Sequence, residues 1–422
     1  MIVARHPAPR PSLSRRQFLC TAAVVGAGSL VAFPARLRAQ DKVLTIAGIH
    51  SLTGPAQAYG KWADEGARLA IEEMKPQLQG WSLKYVLFDD QTNAGVAVRK
   101  AREALDSGAD HLDGPELASS ATAVAPIARE HKITMTTGTG QSELFGKDCN
   151  RFVFKWNATN FTQVRTPVIY AMEQFPKAKQ GKWAVLTADY NWGHQSRQHF
   201  LDYLQEKNLH VEIVEDSRYD LKTTDFTPFL TKVLAKRPDV FFLIGIGGTE
   251  TINALKQAHQ LGLKRQMPIV WTLGQLNAFR AVGSAVVEGT VSELLWWQTL
   301  DVPASKEFVA RYKKAYGGIP DWFAAVGYSN MKIYLTAVKQ VGMKEASAII
   351  KAMESYEGEG LTGRERMNPD THVVDKPFYA AVGKREGEKQ DEDDWITLQP
   401  PPPLNEITWT KERAGCVFQE KI

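Results

Sequence analysis

Short β-rich segments alternate with amphipathic helical segments twice along this chain, and this alternation constrains the fold more than any other feature. The first run includes VLTIAGI from Val43 and SLKYVLFDD from Ser82, and the helical stretch 61–74 between them places small and apolar residues on one face. The second run includes KWAVLTADY from Lys182 and DVFFLIGIG from Asp239. Strands that alternate with helices form parallel sheets with right-handed crossovers. We therefore predict an α/β fold with two Rossmann-like lobes.

The first forty residues are typical of an export signal rather than of a folded domain. They contain a basic start, the twin arginine Arg15 and Arg16, and then an apolar run. This run is shorter than the roughly 20 apolar residues that cross a membrane. Cys20 follows QFL instead of the small residues that precede a lipoprotein anchor. We predict a twin-arginine signal peptide over residues 1–40, cleaved near 39–41, and a periplasmic mature protein.

The charge balance excludes a nucleic-acid-binding surface once this leader is removed. The first forty residues contain six arginines and no acidic residue, so their removal changes the formal net charge from +4 to −2. A basic footprint on the mature protein is therefore not expected.

Two cysteines, Cys149 and Cys416, follow the leader. In an oxidising compartment such a pair forms a disulfide, which here would fix the carboxyl-terminal segment to the middle of the chain. The alternative is two independent buried thiols. The acidic stretch EKQDEDD and the following QPPPP indicate a surface loop and tail.

Small and hydroxyl-bearing residues cluster in the segment LASSATAVAPIARE, where a strand leads into a helix. Ser119, Ser120 and Thr122 either cap this helix or, together with its free N–H groups, bind an anion such as a carboxylate. Anion binding is favoured because similar loops follow other strands, and ligands of open α/β sheets bind at the carboxyl ends of the strands. These loops are HSLTGPAQAYG, TTGTGQS, TADYNWGHQS and GIGGTET.

Large aromatic residues occur in or beside the same loops. Tyr59, Tyr190 and Trp192 are candidates for the walls of a ligand cleft, since such rings supply apolar surface and a polar atom. Trp271 and Trp296 are equally consistent with core packing.

Signatures of enzymes and nucleotide-binding sites are missing. The chain has no G-x-S-x-G, H-E-x-x-H, C-x-x-C or P-loop pattern. GIGGTET departs from the dinucleotide fingerprint because Glu250 replaces its third glycine. We predict no catalytic residue, no metal site and no cofactor, which disfavours an α/β hydrolase or a dehydrogenase.

Several longer segments point to one known family. They are GIHSLTGPAQAYG followed by GARLAIEEM, FDDQTNAGVAVRKAREAL, ASSATAVAPIAREHKI, DYNWGHQ and DFTPFLTKVLAKRPDVFFL. In their order and spacing they resemble the periplasmic solute-binding proteins of the branched-chain amino-acid type that serve ABC importers. The resemblance extends over nearly all of the chain after the leader.

This resemblance implies a monomer whose two lobes are joined by three crossing strands and close on a ligand like a hinge. The expected amino-terminal lobe comprises residues 41–157 and 299–371. The carboxyl-terminal lobe and tail comprise 158–298 and 372–422. The implied function is delivery of a small ligand to an ABC transporter permease, with a ligand-sensing receptor of a signalling system as the alternative.

The resemblance also implies roles for particular residues. The hydroxyl at Ser119 and the loop from Thr139 to Gln141 would hold a carboxylate. Trp192 would cover the ligand from the second lobe, and Tyr59 would line the first.

Two departures from the family pattern bear on the ligand. Amino-acid binders hold the ammonium group with a glutamate after the strand that here reads IVWTLGQLN, where this chain has Leu273, Gly274 and Gln275. They also have a tyrosine near Gly247. A buried ammonium without a counter-charge costs several kcal/mol. We therefore expect a small organic acid that fills the space left by Gly247, unless Asp189 or Glu250 supplies the charge.

Overall fold

The first sheet is formed by the amino-terminal run of strands and helices. In the computed structural model, which describes residues 42–422, its strands are β1 (Lys42–His50), β2 (Trp81–Asp89), β3 (His111–Asp113), β4 (Thr134–Thr136) and β5 (Val153–Phe154). The helices between them are α1 (Gln57–Met74), α2 (Ala94–Asp106) and α3 (Ala118–Glu130). The strands are parallel in the order β2-β1-β3-β4-β5. Because helices cover the sheet, β1 is buried over most of its length.

The second run repeats this arrangement. It comprises α4 (Asn160–Gln174), β6 (Lys182–Ala188), α5 (Asn191–Glu206), β7 (Glu212–Tyr219), α6 (Thr227–Lys236), β8 (Val240–Ile244), α7 (Thr249–Gln260), β9 (Ile269–Trp271), α8 (Leu276–Val282), α9 (Ser284–Val287) and β10 (Val291–Leu294). Strands β6 to β10 pair in parallel. The prediction of an α/β fold with two parallel-stranded lobes is confirmed.

The carboxyl-terminal third adds helices to the first lobe and strands to the second. It contains α10 (Pro303–Tyr316), α11 (Trp322–Val341), α12 (Ala346–Glu354), β11 (Glu357–Gly360), β12 (Gly363–Met367), β13 (Val374–Asp375), β14 (Tyr379–Gly383), β15 (Ile396–Leu398), α13 (Leu404–Ile407) and α14 (Lys411–Ala414). Strands β14 and β15 extend the second sheet in antiparallel fashion, giving the order β15-β14-β10-β9-β8-β6-β7. Strands β11 to β13 form a small antiparallel sheet that the sequence patterns did not predict.

Helices α1 and α11 pack with their backbones in close approach. A Cβ atom added at Gly66 would lie 2.0 Å from the Ala324 carbonyl oxygen, and one at Gly327 would lie 2.1 Å from that of Ala63. Only glycine permits this distance. The packing fixes the start of α11 beside the first turns of α1, where the candidate site lies.

The chain enters or leaves the second sheet at three crossings: it passes from the first sheet to the second after β5, leaves the second sheet after β10, and returns to it between β13 and β14. Lys376, in the third crossing, contacts the other two. Its Nζ lies 4.0 Å from the ring centroid of Trp156 and donates to the Leu295 carbonyl oxygen at 3.4 Å. Burial lowers the pKa of Lys376 to about 7, although the nearby Glu365 carboxylate raises it. A buried amine therefore links all three crossings.

The carboxyl-terminal tail returns to the first lobe. Cys149 and Cys416 form the expected disulfide, with their Cα atoms 5.7 Å apart. Nearby, Trp409 Nε1 donates to the Phe145 carbonyl oxygen at 2.8 Å.

The acidic stretch before the tail differs from the surface loop expected from its composition. Asp393 and Asp394 are only 6% and 4% exposed. Asp393 pairs with Arg280 and Asp394 with Lys384. The prediction was wrong for these two residues because cations outside the acidic stretch, whose pairing composition does not reveal, allow them to be buried.

The export signal predicted for residues 1–40, with its cleavage site near 39–41, lies outside the described residues. Within residues 42–422, no helix has the length and apolar character needed to cross a membrane.

Candidate functional site

A cavity of about 450 Å³ lies between the two sheets, where loops follow the carboxyl ends of strands from both lobes. Its wall consists of Pro55, Ala56, Tyr59, Thr92, Glu116, Leu117, Ser119, Gly138, Gly140, Asn157, Gln163, Tyr190, Trp192, Leu221, Lys222, Ile246, Gly248, Thr249, Glu250, Leu273, Gln275, Trp322 and Phe323. The sequence-derived candidates in this wall are Tyr59, Ser119, Tyr190, Trp192 and Gln275. Those that do not form part of it are Ser120, Thr139, Gln141 and Gly247.

Helix α3 begins at the cavity wall without a side-chain cap. Its N-cap residue is Leu117, whose side chain makes no capping hydrogen bond. The capping role considered for the serines is therefore not found. Leu117 and Ser119 both line the cavity, so the uncapped N–H groups and the Ser119 hydroxyl lie at its wall. Such a helix end favours an anion. Ser120 is buried behind it, and its hydroxyl has no hydrogen-bond partner among the described residues.

The loop after β4 contributes its glycines rather than its polar side chains. Gly138 and Gly140 line the cavity, whereas Thr139 and Gln141 are 1% and 2% exposed. The Thr139 hydroxyl accepts from the Gln141 backbone N–H at 3.2 Å. The Gln141 side chain accepts from Thr122 at 2.7 Å. These side chains thus hold the loop together, and its glycine backbone faces the cavity.

A buried lysine fixes the same loop from behind. Lys155 Nζ donates to the carbonyl oxygens of Thr139, Gln141 and Ala158 at 3.0, 3.4 and 3.2 Å. Burial lowers the pKa of Lys155 well below its usual value. Sequence reasoning missed this residue. Its only signal was a lysine inside the apolar strand segment RFVFKW.

A stack of aromatic rings forms one side of the cavity. The Tyr59 ring lies 4.4 Å from that of Phe323, which in turn lies 3.9 Å from that of Trp322. Phe323 and Trp322 were also missed, because they lie in a helix that reads as core. Tyr59 donates to the Ile246 carbonyl oxygen at 3.2 Å and therefore connects the two lobes across the cavity.

The second lobe supplies Tyr190 and Trp192 at the start of α5. Trp192 is buried, and its indole N–H donates to the Gln163 side chain at 3.3 Å. Tyr190 lies with its ring centroid 6.1 Å from that of Trp192. Aromatic surfaces from both lobes therefore enclose the cavity.

Gly247 does not leave the space expected from the sequence. Its φ is +72°, and a Cβ there would lie 2.2 Å from the Leu273 carbonyl oxygen and 2.8 Å from Gln275 Nε2. That volume is already filled by protein, so the open space expected at Gly247 is not found. Gln275 donates instead to the Ile246 carbonyl oxygen at 3.1 Å and to Tyr59 at 3.3 Å.

Acidic side chains in the wall come from other loops than the one after β9. Glu250 is 4% exposed and accepts from the Ile246 backbone N–H at 2.9 Å and from the Thr251 hydroxyl at 2.6 Å. Burial raises the pKa of Glu250, although these hydrogen bonds lower it. Asp189, the other acid considered, pairs with His194 at 2.7 Å and is not part of the wall. Within residues 42–422, no cluster of His, Cys, Asp or Glu is arranged to hold a metal ion.

Comparison with known proteins places this architecture in a family. The family model described as periplasmic binding protein matches residues 43–389. The chain belongs to the periplasmic binding protein family. This confirms the resemblance carried by the strand-end segments.

Solved structures and curated relatives agree with this assignment. The amino acid ABC transporter substrate-binding protein from Pseudomonas fluorescens Pf-5 is 31% identical, with a TM-score of 0.82 over 89% of this chain and 99% of that one. The Leu/Ile/Val-binding protein homolog 6 from Brucella melitensis is 23% identical over 81% of this chain and 88% of its own. A solute binding protein of an ABC transporter from Rhodopseudomonas palustris BisB5 was solved in complex with 3,4-dihydroxybenzoic acid. Its structure has a TM-score of 0.75 at 22% identity, and the match covers 85% of this chain and 96% of that one.

Membership of the periplasmic binding protein family has two direct consequences. The family consists of substrate-binding proteins of transporters and is not an enzyme family. It also implies an extracytoplasmic location.

Proposed function

We propose that this periplasmic binding protein binds a small organic carboxylate in the cavity between its lobes and delivers it to the permease of an ABC importer. The observation that carries this proposal is the uncapped amino terminus of α3, which meets an aromatic-walled cavity at Ser119. The cavity volume of about 450 Å³ lies within the usual range for small-molecule sites.

The carboxylate end of the ligand is assigned to α3. This helix has 13 residues, long enough to carry a substantial dipole, and no side chain occupies its first N–H groups as a cap. A ligand carboxylate can accept hydrogen bonds from these groups and from the Ser119 hydroxyl. The loop held by Lys155 brings the backbone of Gly138 and Gly140 to the same wall.

The body of the ligand is assigned to the aromatic surfaces. Tyr59, Phe323 and Trp192 present flat rings from both lobes, which suit an aromatic or aliphatic body. A solute binding protein with the same fold was solved in complex with 3,4-dihydroxybenzoic acid, which is consistent with such a ligand. An α-amino acid is less favoured because the segment Leu273-Gly274-Gln275 contains no acid, although Glu250 is the residue that would bind its ammonium group.

Delivery requires the lobes to open and close. We propose that residues 41–157 with 299–371 and residues 158–298 with 372–422 move as two bodies about the three crossings. The Tyr59 contact with Ile246 would then form only when the lobes approach. Export by the twin-arginine pathway would place the protein in the periplasm.

A thermal-shift screen tests the ligand class. The chain from Asp41 onward, freed of bound ligand by partial unfolding, is mixed with aromatic acids, short aliphatic acids, their amides, and leucine and valine. A ligand at a hundred times its Kd stabilises the protein by about 2.7 kcal/mol, which such an assay detects.

The screen separates the possible ligand classes. We expect shifts with aromatic or aliphatic acids and none with the corresponding amides. Shifts with leucine or valine alone would contradict the proposal. In that case the variant Glu250→Gln should abolish binding, because it removes the counter-charge for the ammonium group.

A further inference from the structure

A buried acid, Glu116, lies in the cavity wall next to the residue that begins α3. It is 5% exposed and immediately precedes Leu117. Its Oε1 lies 2.7 Å from Nδ1 of His50. Its other oxygen, Oε2, has no hydrogen-bond partner among residues 42–422. A buried carboxylate oxygen without a partner is stabilised when it accepts a hydrogen bond from a donor that enters the site.

His50 explains how an acid can lie beside a carboxylate-binding site. Its Nε2 lies 3.1 Å from the Tyr85 hydroxyl and 3.5 Å from Asp113 Oδ2. Burial lowers the pKa of His50, but the carboxylates of Glu116 and Asp113 outweigh burial and raise this pKa well above its usual value. The resulting imidazolium offsets the repulsion between Glu116 and an incoming anion. It contacts only one oxygen of Glu116 and leaves the other as an acceptor.

Two other side-chain oxygens of the cavity wall also lack a hydrogen-bond partner. Asn157 Oδ1 and Gln275 Oε1 are buried and have no partner among the described residues. Gln275 Nε2 donates to both Ile246 and Tyr59, and Asn157 Nδ2 donates to the Gly138 carbonyl oxygen at 2.7 Å. Three acceptor oxygens of wall residues therefore have no partner among the described residues, and a ligand that carries a donor can pair with one of them.

We propose that Glu116 determines ligand specificity by accepting a hydrogen bond from a hydroxyl group on the ligand, so that the protein selects hydroxylated carboxylates over their unhydroxylated counterparts. This inference deepens the proposed function and rests on it, because it assumes that the ligand carboxylate lies at Ser119. An unhydroxylated acid leaves the Glu116 oxygen unpaired, which weakens binding by about tenfold or more.

Titration calorimetry with matched acids tests this inference. The first series is benzoate with its 2-, 3- and 4-hydroxy derivatives and 3,4-dihydroxybenzoate. The second compares phenylacetate with 4-hydroxyphenylacetate, and the third compares 4-methylvalerate with 2-hydroxy-4-methylvalerate. We expect at least one hydroxylated acid to bind about tenfold or more tightly than its parent acid.

Variants then assign the preference to Glu116. Glu116→Gln keeps the size of the side chain and should reduce the ratio of the Kd of the parent acid to the Kd of its hydroxylated derivative. Glu116→Leu should bring that ratio to about one. The control Ser119→Ala should weaken all acids by a similar factor and leave the ratio unchanged. The ratio is informative because general structural damage weakens both members of a pair.

Each outcome bears on one of the two proposals. Equal binding of parent and hydroxylated acids by the wild type overturns the role of Glu116 and leaves the carboxylate site intact. A preference that is unchanged in Glu116→Gln, or that survives in Glu116→Leu where that variant folds, also overturns it. If no member of the three series binds while leucine or valine does, the proposed function itself is wrong.

Discussion

Removal of the disulfide between Cys149 and Cys416 should destabilise the protein by several kcal/mol. The two residues are separated by 267 positions, so the bond closes a very long loop in the unfolded chain. The chain-entropy model gives about 5.6 kcal/mol at 25 °C for a loop of this length, and measured losses for native disulfides are typically about 2 to 5 kcal/mol. We expect the variant Cys149→Ala/Cys416→Ala to lose an amount in the measured range.

Urea unfolding followed by tryptophan fluorescence measures this loss on the chain from Asp41 onward. That chain contains no other cysteine, so dithiothreitol provides a matched control. Reductant should lower the stability of the wild type to that of the double variant and leave the double variant unchanged. A double variant within about 1 kcal/mol of the oxidised wild type would refute the reasoning. It would mean that tail contacts such as that of Trp409 hold the segment without the bond.

Three other predictions concern Gly247 beside the cavity, Lys376 between the crossings and the export signal that we predict for residues 1–40. Gly247→Ala should lower the free energy of unfolding, measured in urea, by about 1–3 kcal/mol more than Gly317→Ala. Both glycines have φ near +72°, but only at Gly247 would a Cβ collide with protein atoms. Equal losses in the two variants would contradict this reasoning. Below about pH 7 the Lys376 amine is protonated in both the folded and the unfolded chain, whereas above about pH 7 only the unfolded chain retains the proton. The free energy of unfolding of the wild type relative to Lys376→Met should therefore rise with pH by up to about 1.4 kcal/mol per pH unit. A constant difference between about pH 6.5 and 9 would show that the pKa is not lowered. Arg15→Lys/Arg16→Lys should abolish appearance of the protein in the periplasmic fraction, and unchanged export would exclude the twin-arginine route.

Local sequence patterns predicted the repeated units of the fold well. Alternating strand and helix segments depend on hydrophobic periodicity, which neighbouring residues determine. The position of the cavity also followed from the sequence, because ligand-binding loops of α/β sheets follow the ends of strands. The pairing of Cys149 with Cys416 needed only the count of cysteines after residue 40 and the expectation of an oxidising compartment.

The sequence was less informative about which side chains of a loop face the cavity. Thr139 and Gln141 look like ligand-binding residues, yet they are turned into the loop, which presents Gly138 and Gly140 instead. Gly247 suggested an opening, yet distant atoms fill it. A residue type specifies what a side chain can do, but its direction depends on backbone torsions and on partners elsewhere in the chain.

The sequence alone determined the α/β class, the family, the loops that line the cavity and the cysteine pair. Tertiary structure decided the electrostatics of that site. Glu116 lies 66 positions from His50, and Asp393 lies 113 positions from Arg280. Neither acid can be buried without its partner, since a buried charge needs a counter-charge or hydrogen bonds nearby. Such partners meet only when the chain has folded, so the periodicity of a local segment cannot reveal them.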